Sequence, residues 1–542
     1  MPDGALPPHP PRPPRAARVA IVGAGIGGLV AALELAHAGL EVRVFEAAAQ
    51  VGGKMRGVPS EAGEIDGGPT VFTQRAVFEG LFAAVGEDFA ARVPVTAAEV
   101  LARHVWPDGA RLDLFADPAR SEAAVAALAG GDEAARFRAM SARARRLFEA
   151  FERPMMEAPA PSAVGIARAL APALPRLTLD MAPWATLWAE MGRSFRDARL
   201  RQLFARYATY VGGSPFLSPA LLMLIWHSEA AGVWTVEGGM RRLARTLAEM
   251  ARARGAEIRL EAPVAEILTR DGRAAGVRLE SGEGVEAEAV LFNGDPGALG
   301  AGLLGAGARG AAPALPRARR ALSSWVWTFA GRPAGFPLSH HTVFFGPDYP
   351  AEFADIDRRR RAPEAPTIYV CAQDRHAADR PQRETPGPAE RLLMILNAPA
   401  DGDLGPPSAS EIERCTTAAF RTLARAGLTL TPPDLTAAPW ALTTPDRFAQ
   451  MFPGTGGSLY GANPHGAFAA LRRPGARSRT PGLYLAGGGG HPGPGAPMAA
   501  RSGRHAAAAI LADLPSTRSS RRGATGGGTS TGSRTTGPAR SR

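Results

Sequence analysis

The stretch VAIVGAGIGGLVAALELAHAGLEVRVFE, residues 19–46, contains the strongest local signal in the chain. Arg18–Val22 is a short apolar run that predicts a buried strand, and Leu29–Ala38 has the small and aliphatic residues of a helix. A glycine ends that helix, and Glu41–Phe45 predicts a second strand that stops at Glu46. A strand, a glycine-rich turn, a helix and a second strand in this order predict an α/β fold built on a parallel sheet.

The turn between the first strand and the helix carries the spacing Gly23-x-Gly25-x-x-Gly28. Such glycines make a tight turn, admit a diphosphate against bare backbone and let the helix pack on the strand. The helix N-terminus then faces the diphosphate. Glu46 stands where a carboxylate accepts both ribose hydroxyls, and an acid there argues against the 2′-phosphate of NADP. A dinucleotide site is predicted at Gly23, Gly25, Gly27, Gly28 and Glu46.

Two further glycine pairs indicate which dinucleotide is bound. VGGKMRG (51–57) and GEIDGGPTVF (63–72) follow the acidic residue, a pattern typical of FAD enzymes related to amine oxidases. Lys54, the only lysine of the chain, and Arg56 are expected to pair with phosphates or reach the flavin edge. The alternative is that both are exposed surface residues. The cofactor contacts predicted from these segments are Gly53, Lys54, Arg56, Gly68, Pro69 and Thr70.

A glycine- and proline-rich stretch, GGGGHPGPGAPM (487–498), follows the predicted strand LYLAGG and precedes a helix. It is either a surface turn or a backbone cradle for the cofactor. The strand delivers it to the edge that carries the phosphate loop, and the helix N-terminus suits the flavin N1–C2=O region, which favours the cradle. The predicted contacts are Gly487, Gly488, His491, Pro497 and Met498. His491 is the nearest candidate for a catalytic group, with a structural turn histidine as the alternative, and no catalytic base is identified.

The segments APVAEIL and AEAVLFNGDP supply further candidates for the adenine end of the cofactor. They place Val264, Asn293 and Asp295 there. The alternative for residues 293–295 is a plain turn.

Composition excludes several classes of protein. The net charge of +11 falls to +5 without the six arginines that follow Pro515, so the body is close to neutral and nucleic-acid binding has no support. Cys371 and Cys415 lack CxxC spacing, which argues against a disulfide framework or a metal site and suits a reducing cytoplasm. Glycines interrupt the apolar N-terminal run, and no stretch reaches 18 apolar residues, so neither a signal peptide nor a transmembrane helix is predicted.

The domain organisation follows from shifts in composition and periodicity along the chain. Proline-rich and Gly/Ser/Arg-rich ends are expected to be disordered, while alanine- and arginine-rich text has helical periodicity. The predicted units are a disordered arm (1–16), a discontinuous FAD-binding domain (17–80, 240–300 and 475–514), a helical substrate- or membrane-facing region (81–239), a substrate-domain sheet (301–474) and a disordered basic tail (515–542).

Taken together, these motifs resemble the bacterial carotenoid (phytoene-type) desaturases, FAD enzymes of the amine-oxidase superfamily, over residues 17–514. The segments HHTVFF and PTIYVCAQDR look most like the branch of hydroxyneurosporene (methoxyneurosporene) desaturases, the 1-hydroxycarotenoid 3,4-desaturases. Pro494 departs from the smaller residue that is common in the family. The resemblance implies a Rossmann-like FAD-binding domain with a discontinuous helical and antiparallel-sheet substrate domain.

The resemblance also implies an activity: hydride transfer to flavin that creates a 3,4 double bond in an acyclic 1-hydroxy- or 1-methoxycarotenoid. With no second dinucleotide fingerprint, a quinone or dioxygen is the expected electron acceptor. The enzyme would act peripherally at the cytoplasmic side of a membrane. Trp184, Trp188, Phe216–His227 and Trp234 would line a tunnel or the lipid interface, with ordinary core as the alternative. The residues expected to recognise the substrate hydroxyl are His340, His341, Gln373 and Asp374.

Two other functions share parts of this pattern. An amine or porphyrinogen oxidase would have the same cofactor motifs but would not explain HHTVFF and PTIYVCAQDR. A non-catalytic isoprenoid-binding escort protein would lack the intact set from Gly23 to Glu46. Phytoene desaturation is the alternative within the carotenoid desaturases.

Overall fold

The computed structural model of the chain describes residues 17–375 and 388–514. The predicted arm (1–16) and tail (515–542) lie outside the described residues. The strands, in chain order, are β1 (Arg18–Val22), β2 (Glu41–Phe45), β3 (Gly57–Val58), β4 (Ile65–Asp66), β5 (Val95–Ala97), β6 (Val100–Val105), β7 (Arg111–Phe115), β8 (Trp234–Val236), β9 (Glu257–Arg259), β10 (Val264–Arg270), β11 (Arg273–Leu279), β12 (Gly284–Glu286), β13 (Ala289–Phe292), β14 (Ser323–Gly331), β15 (His341–Phe344), β16 (Ile368–Ala372), β17 (Glu390–Ala398), β18 (Leu442–Thr443) and β19 (Leu483–Leu485).

The α-helices pack against both sheets and connect them. In chain order they are α1 (Ile26–His37), α2 (Arg75–Ala84), α3 (Phe89–Arg92), α4 (Pro118–Ala129), α5 (Gly131–Phe151), α6 (Ala163–Leu170), α7 (Leu174–Met181), α8 (Leu187–Ser194), α9 (Ala198–Ala205), α10 (Leu224–Ala230), α11 (Met240–Ala253), α12 (Pro296–Gly300), α13 (Tyr349–Ala354), α14 (Ala409–Arg425), α15 (Pro445–Met451) and α16 (Ala496–Asp513). The predicted α/β class is confirmed.

A five-stranded parallel sheet in the order β19-β13-β1-β2-β9 forms the first half of the molecule. Helices α1, α11 and α16 cover one face, where Leu29, Leu247 and Ile510 share one apolar core. The three-stranded sheet β10-β11-β12 and α12 cover the other, with Ile267 and Leu299 in the core. Both faces are buried, which explains why these strands are almost continuous apolar runs.

A seven-stranded sheet in the order β18-β14-β17-β16-β15-β6-β7 forms the second half. Only β15 and β6 pair in parallel; the other neighbours are antiparallel. Because side chains alternate along a strand, Val326 faces the helices of 118–230 while Trp325 and Trp327 face α14. The sheet is therefore buried on both faces between two helical layers.

The region 81–239, which the sequence predicts as helical, contains four strands besides its helices: β5, β6 and β7 near its start and β8 at its end. Strands β6 and β7 join the seven-stranded sheet, and β5 pairs with β8. β6 forms a local hairpin with β7 and also pairs in parallel with β15. The pairing with β15 leaves no local signal, because β15 is far away in sequence.

Candidate functional site

The turn between β1 and α1 is built for close approach to its backbone. Gly23 has a φ of 97°, which favours glycine. A Cβ atom on Gly28 would lie 2.2 Å from the carbonyl oxygen of Gly23, and one on Gly27 would lie 2.8 Å from the amide nitrogen of Gly487. Gly25 precedes α1 and gives it no side-chain cap, so the first N–H groups of the helix are left for another acceptor.

Glu46 lies at the end of β2, as predicted, and its carboxylate is directed at this turn. One oxygen accepts a hydrogen bond from the amide of Ala24 at 2.6 Å, and the other accepts from the amide of Ala48 at 2.9 Å. The carboxylate is therefore held beside the glycine-rich turn, at the position expected for a ribose-binding group.

The glycine stretch after β19 meets the first glycine turn at Asn293. The Asn293 side chain donates to the carbonyl oxygen of Gly23 at 3.1 Å, and a Cβ on Gly487 would lie 3.1 Å from Asn293 Oδ1. Asn293 Oδ1 is buried without a hydrogen-bond partner among the described residues. Gly488 continues the stretch, and α16 then begins without a side-chain cap, with Pro497 and Met498 in its first turn. Two uncapped helix N-termini and one unsatisfied buried oxygen thus surround the same place.

The structure separates the three residues that the sequence assigns to the adenine end. Val264 begins β10 on the Glu46 side, where Glu46 O accepts from the amide of Ala262 at 2.8 Å. Asn293 and Asp295 follow β13, on the opposite side of β1. A Cβ on Gly489 would lie 2.4 Å from Asp295 Oδ2, so Asp295 belongs with the second glycine stretch. Asn293 and Asp295 lie on this side because they follow β13, which lies between β1 and β19 in the sheet.

Lys54 and Arg56 are not free surface residues. Lys54 Nζ donates to Leu459 O at 2.6 Å, and an Arg56 Nη2 atom donates to Thr443 Oγ1 at 2.7 Å. Burial lowers the pKa of both side chains. A Cβ on Gly68 would lie 1.6 Å from Lys54 O, so the segment that includes Pro69 and Thr70 passes directly against the Lys54 loop. Gly53 is also close to the first turn, where a Cβ on it would lie 3.2 Å from Gly25 Cα.

Arg473 is a cation at this site that the sequence analysis missed. It donates to Gly488 O at 3.0 Å, to Tyr460 O at 3.1 Å and to Ala462 O at 2.8 Å. Burial lowers its pKa to about 10. Burial also raises the pKa of Asp295, although Lys54 and Arg473 oppose that shift. The region is electropositive, a setting that favours added negative charge.

Asp66, in the GEIDGG segment, fastens this region to the second sheet. Its carboxylate accepts from the amide of Met240 at 2.7 Å and from Arg241 Nη1 at 3.1 Å, so it caps α11. The Gln373 amide binds the Asp66 main chain at both ends, with its oxygen 3.0 Å from Asp66 N and its nitrogen 3.0 Å from Asp66 O. Gln373 therefore has a structural partner for each of its polar atoms.

The other candidates for substrate recognition differ from one another in their partners. Asp374 accepts from Arg391 Nη2 at 2.6 Å. His340 Nδ1 is 3.1 Å from Arg375 O, and its Nε2 is 3.6 Å from Cys371 Sγ. Thr70, His340 and Cys371 line a cleft together with Asp66, Gln373 and Arg391. The structure therefore brings two of the four candidates, His340 and Gln373, to one cleft.

His341 makes a hydrogen-bonded chain with Tyr369, which sequence reasoning missed. His341 Nδ1 is 2.7 Å from the Tyr369 hydroxyl, and that hydroxyl is 2.6 Å from Thr70 Oγ1. His341 pairs with Cys371 across β15 and β16, so His341, Tyr369 and Cys371 share one face. The alternation of IYVCA against HTVF was the available signal.

His491 is held in a structural arrangement. Its Nε2 lies 2.7 Å from Ala158 O, its amide donates to Pro474 O at 2.8 Å, and its ring stacks on His505 with centroids 5.8 Å apart. Burial lowers its pKa. This geometry favours the structural alternative over a catalytic one.

A buried ionic cluster, which the sequence analysis did not find, lies on the helical side of the second sheet. Glu229 accepts from the hydroxyls of Tyr207 at 2.8 Å and Tyr210 at 2.7 Å. The Arg206 guanidinium lies 5.3 Å from the Tyr210 ring and 5.9 Å from the Tyr369 ring. Helices and strands from different parts of the chain bring these residues together.

Comparison with known proteins identifies the family of the chain. The family model for flavin containing amine oxidoreductases matches residues 26–511. Hydroxyneurosporene desaturase of Rubrivivax gelatinosus is 46% identical over 522 residues, which cover 95% of this chain and 97% of that protein. Hydroxyneurosporene desaturase of Cereibacter sphaeroides is 48% identical over 497 residues, or 92% and 98% of the two chains. An oxidoreductase structure from Methanosarcina mazei, 15% identical, covers 91% of this chain and 100% of its own with a TM-score of 0.55 and shows the shared fold.

The residues present fit the cofactor of that family, FAD. Bare glycine backbone, two uncapped helix N-termini and the unsatisfied Asn293 Oδ1 suit an elongated, anionic, hydrogen-bonding ligand. Glu46 and the electropositive surroundings of Lys54 complete the set. The chain belongs to the FAD-dependent flavin-containing amine oxidoreductases and, within them, to the family of the hydroxyneurosporene desaturases.

Proposed function

We propose that this chain is an FAD-dependent desaturase that forms a double bond between carbons 3 and 4 of an acyclic 1-hydroxy- or 1-methoxycarotenoid such as hydroxyneurosporene. The observation that carries the proposal is 46% and 48% identity with two hydroxyneurosporene desaturases over more than nine-tenths of both chains. The meeting of both glycine stretches beside an electropositive region supports it.

The chemistry requires a hydride acceptor. An allylic C–H bond of a polyene has no useful acidity, so the substrate loses a hydride and then a proton from the adjacent carbon, and FAD supplies the hydride acceptor. The chain's part is to hold and tune that group. The Gly23–Gly28 turn and the α1 N-terminus would hold the diphosphate, and Glu46 would hold the ribose.

The charged residues near the second glycine stretch would favour reduction. Lys54 and Arg473 are cations in a buried region, with Asp295 as the carboxylate that opposes them. The N-terminus of α16 adds a partial positive charge. Negative charge that develops on the flavin ring would be stabilised there, which makes hydride acceptance easier.

Electrons would leave through a quinone or dioxygen. The sequence carries one dinucleotide fingerprint, at Gly23–Gly28, and FAD accounts for it. In an anaerobic assay, the reduced enzyme should stay reduced when NADP is added and reoxidise when a quinone is added. Rapid reoxidation by NADP would contradict this part of the proposal.

The enzyme would meet its lipid-like substrate at a membrane surface, on the cytoplasmic face. Within the described residues, no helix combines the length and apolarity that a bilayer crossing requires. The segment 163–184 instead exposes Val164, Leu179 and Trp184 at 74%, 68% and 62% beside two exposed arginines, a composition suited to an anionic interface. In contrast, Trp188 is partly buried and packs on Phe216 with ring centroids 4.8 Å apart.

Vesicle flotation tests this surface. The triple variant Val164→Ser, Leu179→Ser, Trp184→Ser should bind anionic vesicles several-fold more weakly than wild type, because it loses apolar side chains that would be buried at the interface. The control is Leu404→Ser, because Leu404 is equally exposed but lies elsewhere on the surface. Equal flotation of all three proteins would contradict the assignment.

The function itself is tested by product analysis. The chain is expressed in cells that make hydroxyneurosporene, and in parallel cells that make phytoene, and the carotenoids are identified by absorption and mass. We expect the hydroxylated substrate to lose two hydrogens and gain one conjugated double bond. Equal or better conversion of phytoene would reassign the chain as a phytoene desaturase. Turnover of an amine or a porphyrinogen, with no carotenoid product, would make it another oxidase of the family.

A further inference from the structure

The position of the substrate oxygen relative to the reacting bond limits where its binding site can be. Under the proposed function, on which this inference rests, the oxygen sits on carbon 1 and the bond forms between carbons 3 and 4. The group that binds the oxygen must therefore lie beside the flavin-binding segments and not at a distant end of a tunnel. A polar side chain there must also be buried, because the rest of the substrate is apolar.

The chain Thr70–Tyr369–His341 meets the first requirement. Thr70 belongs to the GEIDGGPT segment, whose Gly68 packs against the Lys54 loop. From there, Thr70 Oγ1 reaches the Tyr369 hydroxyl at 2.6 Å, and that hydroxyl reaches His341 Nδ1 at 2.7 Å. Three side chains thus connect the cofactor site to the face of the second sheet that packs against the helices.

His341 meets the second requirement. Its side chain is buried, at 2% exposure, and its Nε2 has no hydrogen-bond partner among the described residues. Buried polar atoms are rarely left unsatisfied, so this nitrogen calls for a ligand. The surrounding sheet face is apolar, with Val343 and Leu393 in the same core as Tyr369. The His340 ring also packs edge to face on His341, with centroids 4.5 Å apart. A polar atom without a partner beside an otherwise apolar sheet face is the arrangement expected for a substrate with one oxygen.

The other candidates already have partners. Gln373 uses both ends of its amide on the Asp66 main chain, and Asp374 pairs with Arg391. His340 contacts Arg375 O and Cys371 Sγ. Of the four residues predicted to recognise the substrate hydroxyl, His341 is therefore the one with a buried ring nitrogen that needs a ligand.

The hydrogen-bond chain also fixes which atom donates. Burial holds the pKa of His341 well below its ordinary value, so the ring is neutral and carries one proton. A phenol is a stronger acid than an aliphatic alcohol, so Tyr369 donates to His341 Nδ1 and Thr70 donates to Tyr369. The proton of the imidazole is then on Nε2.

We propose that the Nε2–H of His341 donates a hydrogen bond to the oxygen on carbon 1 of the carotenoid and so determines substrate specificity, with Tyr369 and Thr70 as positioning residues. A donor suits either a hydroxyl or a methoxy oxygen, because both accept. A hydrocarbon leaves the N–H buried and unpaired, which is the condition for strong rejection.

The test compares three substrates in the FAD-loaded enzyme: hydroxyneurosporene, methoxyneurosporene and neurosporene. Wild type should accept the two oxygenated substrates within about 10-fold of each other and neurosporene roughly 100-fold less well in kcat/KM. His341→Leu should lose that preference, and Tyr369→Phe should weaken it roughly 10-fold, because the ring is no longer oriented. His104→Leu, a buried histidine on the neighbouring strand β6, is the control and should keep the preference.

Flavin content and the visible spectrum show that each variant is folded, and Tyr369→Phe preserves shape if His341→Leu does not fold. An equal loss on all three substrates would overturn the proposal, and so would acceptance of the hydroxyl with rejection of the methoxy group, which requires an acceptor at Nε2. The ligand atoms of His340, His341 and Cys371 lie within 4.8 Å of one another, close enough to bind a metal ion together. If the purified enzyme contained one zinc per chain and Cys371→Ser lost it, His341 would be a metal ligand and the proposal would be overturned. Binding of the same carotenoids, followed by flavin fluorescence quenching, tests the subsite independently of turnover. The proposed function fails separately if wild type converts none of the three.

Discussion

The two halves of this molecule offer different groups for binding. One offers main-chain groups, and the other offers side chains. The parallel-sheet half, defined as β1, β2, β9, β13 and β19 with α1, α11 and α16, presents main-chain N–H groups and glycine. The seven-stranded half, defined as the seven-stranded sheet with the helices of 118–230, buries charged and polar side chains such as Glu229 and His341 in an apolar core.

The two halves also differ in how far apart in the sequence their interacting residues lie. In the parallel-sheet half, the groups that would hold the cofactor are set by the spacing of glycines within a few residues, as at Gly23–Gly28. In the seven-stranded half, the Arg206 guanidinium lies over the Tyr369 ring, and the Thr70 hydroxyl makes a hydrogen bond with the Tyr369 hydroxyl. These three residues are far apart in the chain. The first half should therefore be sensitive to added atoms and the second to altered charge.

The largest effect should come from filling the glycine turn. Gly28→Ala would place a Cβ atom 2.2 Å from Gly23 O, which the backbone cannot accommodate without moving the turn. We expect loss of bound FAD and of most folded protein. The measurement is the ratio of flavin absorption to protein after purification.

Gly80→Ala in α2 is the matched control, because a Cβ there meets nothing within 4 Å. It should retain FAD and gain stability, by roughly 0.5–1 kcal/mol. Full flavin content in Gly28→Ala would show that the backbone of this turn is not the binding surface.

The seven-stranded half should respond to charge. Burial raises the pKa of Glu352 from 4.5 to about 7, although Thr367 and Arg206 oppose the shift. The folded state binds the proton more tightly than the unfolded state, so this residue lowers stability as pH rises from about 4.5 through 7. In wild type, Glu352 should lower the free energy of unfolding by about 3 kcal/mol between pH 5 and pH 8, and Glu352→Gln should remove this decline. Denaturant unfolding of the holoenzyme at each pH measures it.

The exposed Glu413→Gln in α14 controls for the loss of one negative charge and should leave the pH dependence unchanged. If the Glu352→Gln and wild-type profiles coincide, Glu352 does not carry a buried charge at neutral pH and the contrast between the halves weakens.

Glu46 is a side chain on which the parallel-sheet half also depends. Glu46→Ala removes the carboxylate that accepts from the amides of Ala24 and Ala48 and that would hold the ribose. Hydrogen bonds to a charged group contribute about 1.5–3 kcal/mol, so their loss should weaken FAD binding roughly 10–100-fold. Titration of apoenzyme with FAD measures this. Glu41→Ala, on the same strand but paired with Arg43, should bind normally.

The smallest effect is expected at His491. Burial lowers its pKa, so the folded state favours the neutral ring, and stability is lost as pH falls below about 6.5. His491→Gln should cost about 1 kcal/mol at pH 8, where the contact with Ala158 O is lost, and should slow turnover only a few-fold. If turnover instead slowed by roughly two orders of magnitude or more, His491 would be a general base.

His37→Gln, on the exposed last turn of α1, gives the baseline for replacing a histidine. A pH profile of stability in His491→Gln that still falls below pH 6.5 as steeply as wild type would assign the transition to another residue, such as the stacked His505.

Local sequence pattern was enough to specify several parts of this protein. The β1–α1–β2 unit, the position of Glu46 and the glycine stretch at 487 all lie where periodicity and spacing predict them. These features could be predicted because a tight turn or a helix start needs particular residues within a few positions of one another. Helix α1 begins three residues earlier than predicted, because Gly27 and Gly28 already belong to its first turn.

Which distant residues meet became clear only from the folded chain. The fold placed β6 beside β15, moved Asn293 and Asp295 to the side of Gly487, and brought Arg473 to the second glycine stretch. It also separated Gln373, which serves the main chain of Asp66, from His341, which keeps a ring nitrogen without a partner among the described residues. Sheet pairing and side-chain burial depend on contacts across the whole chain, and local sequence does not record which partner a polar atom will find.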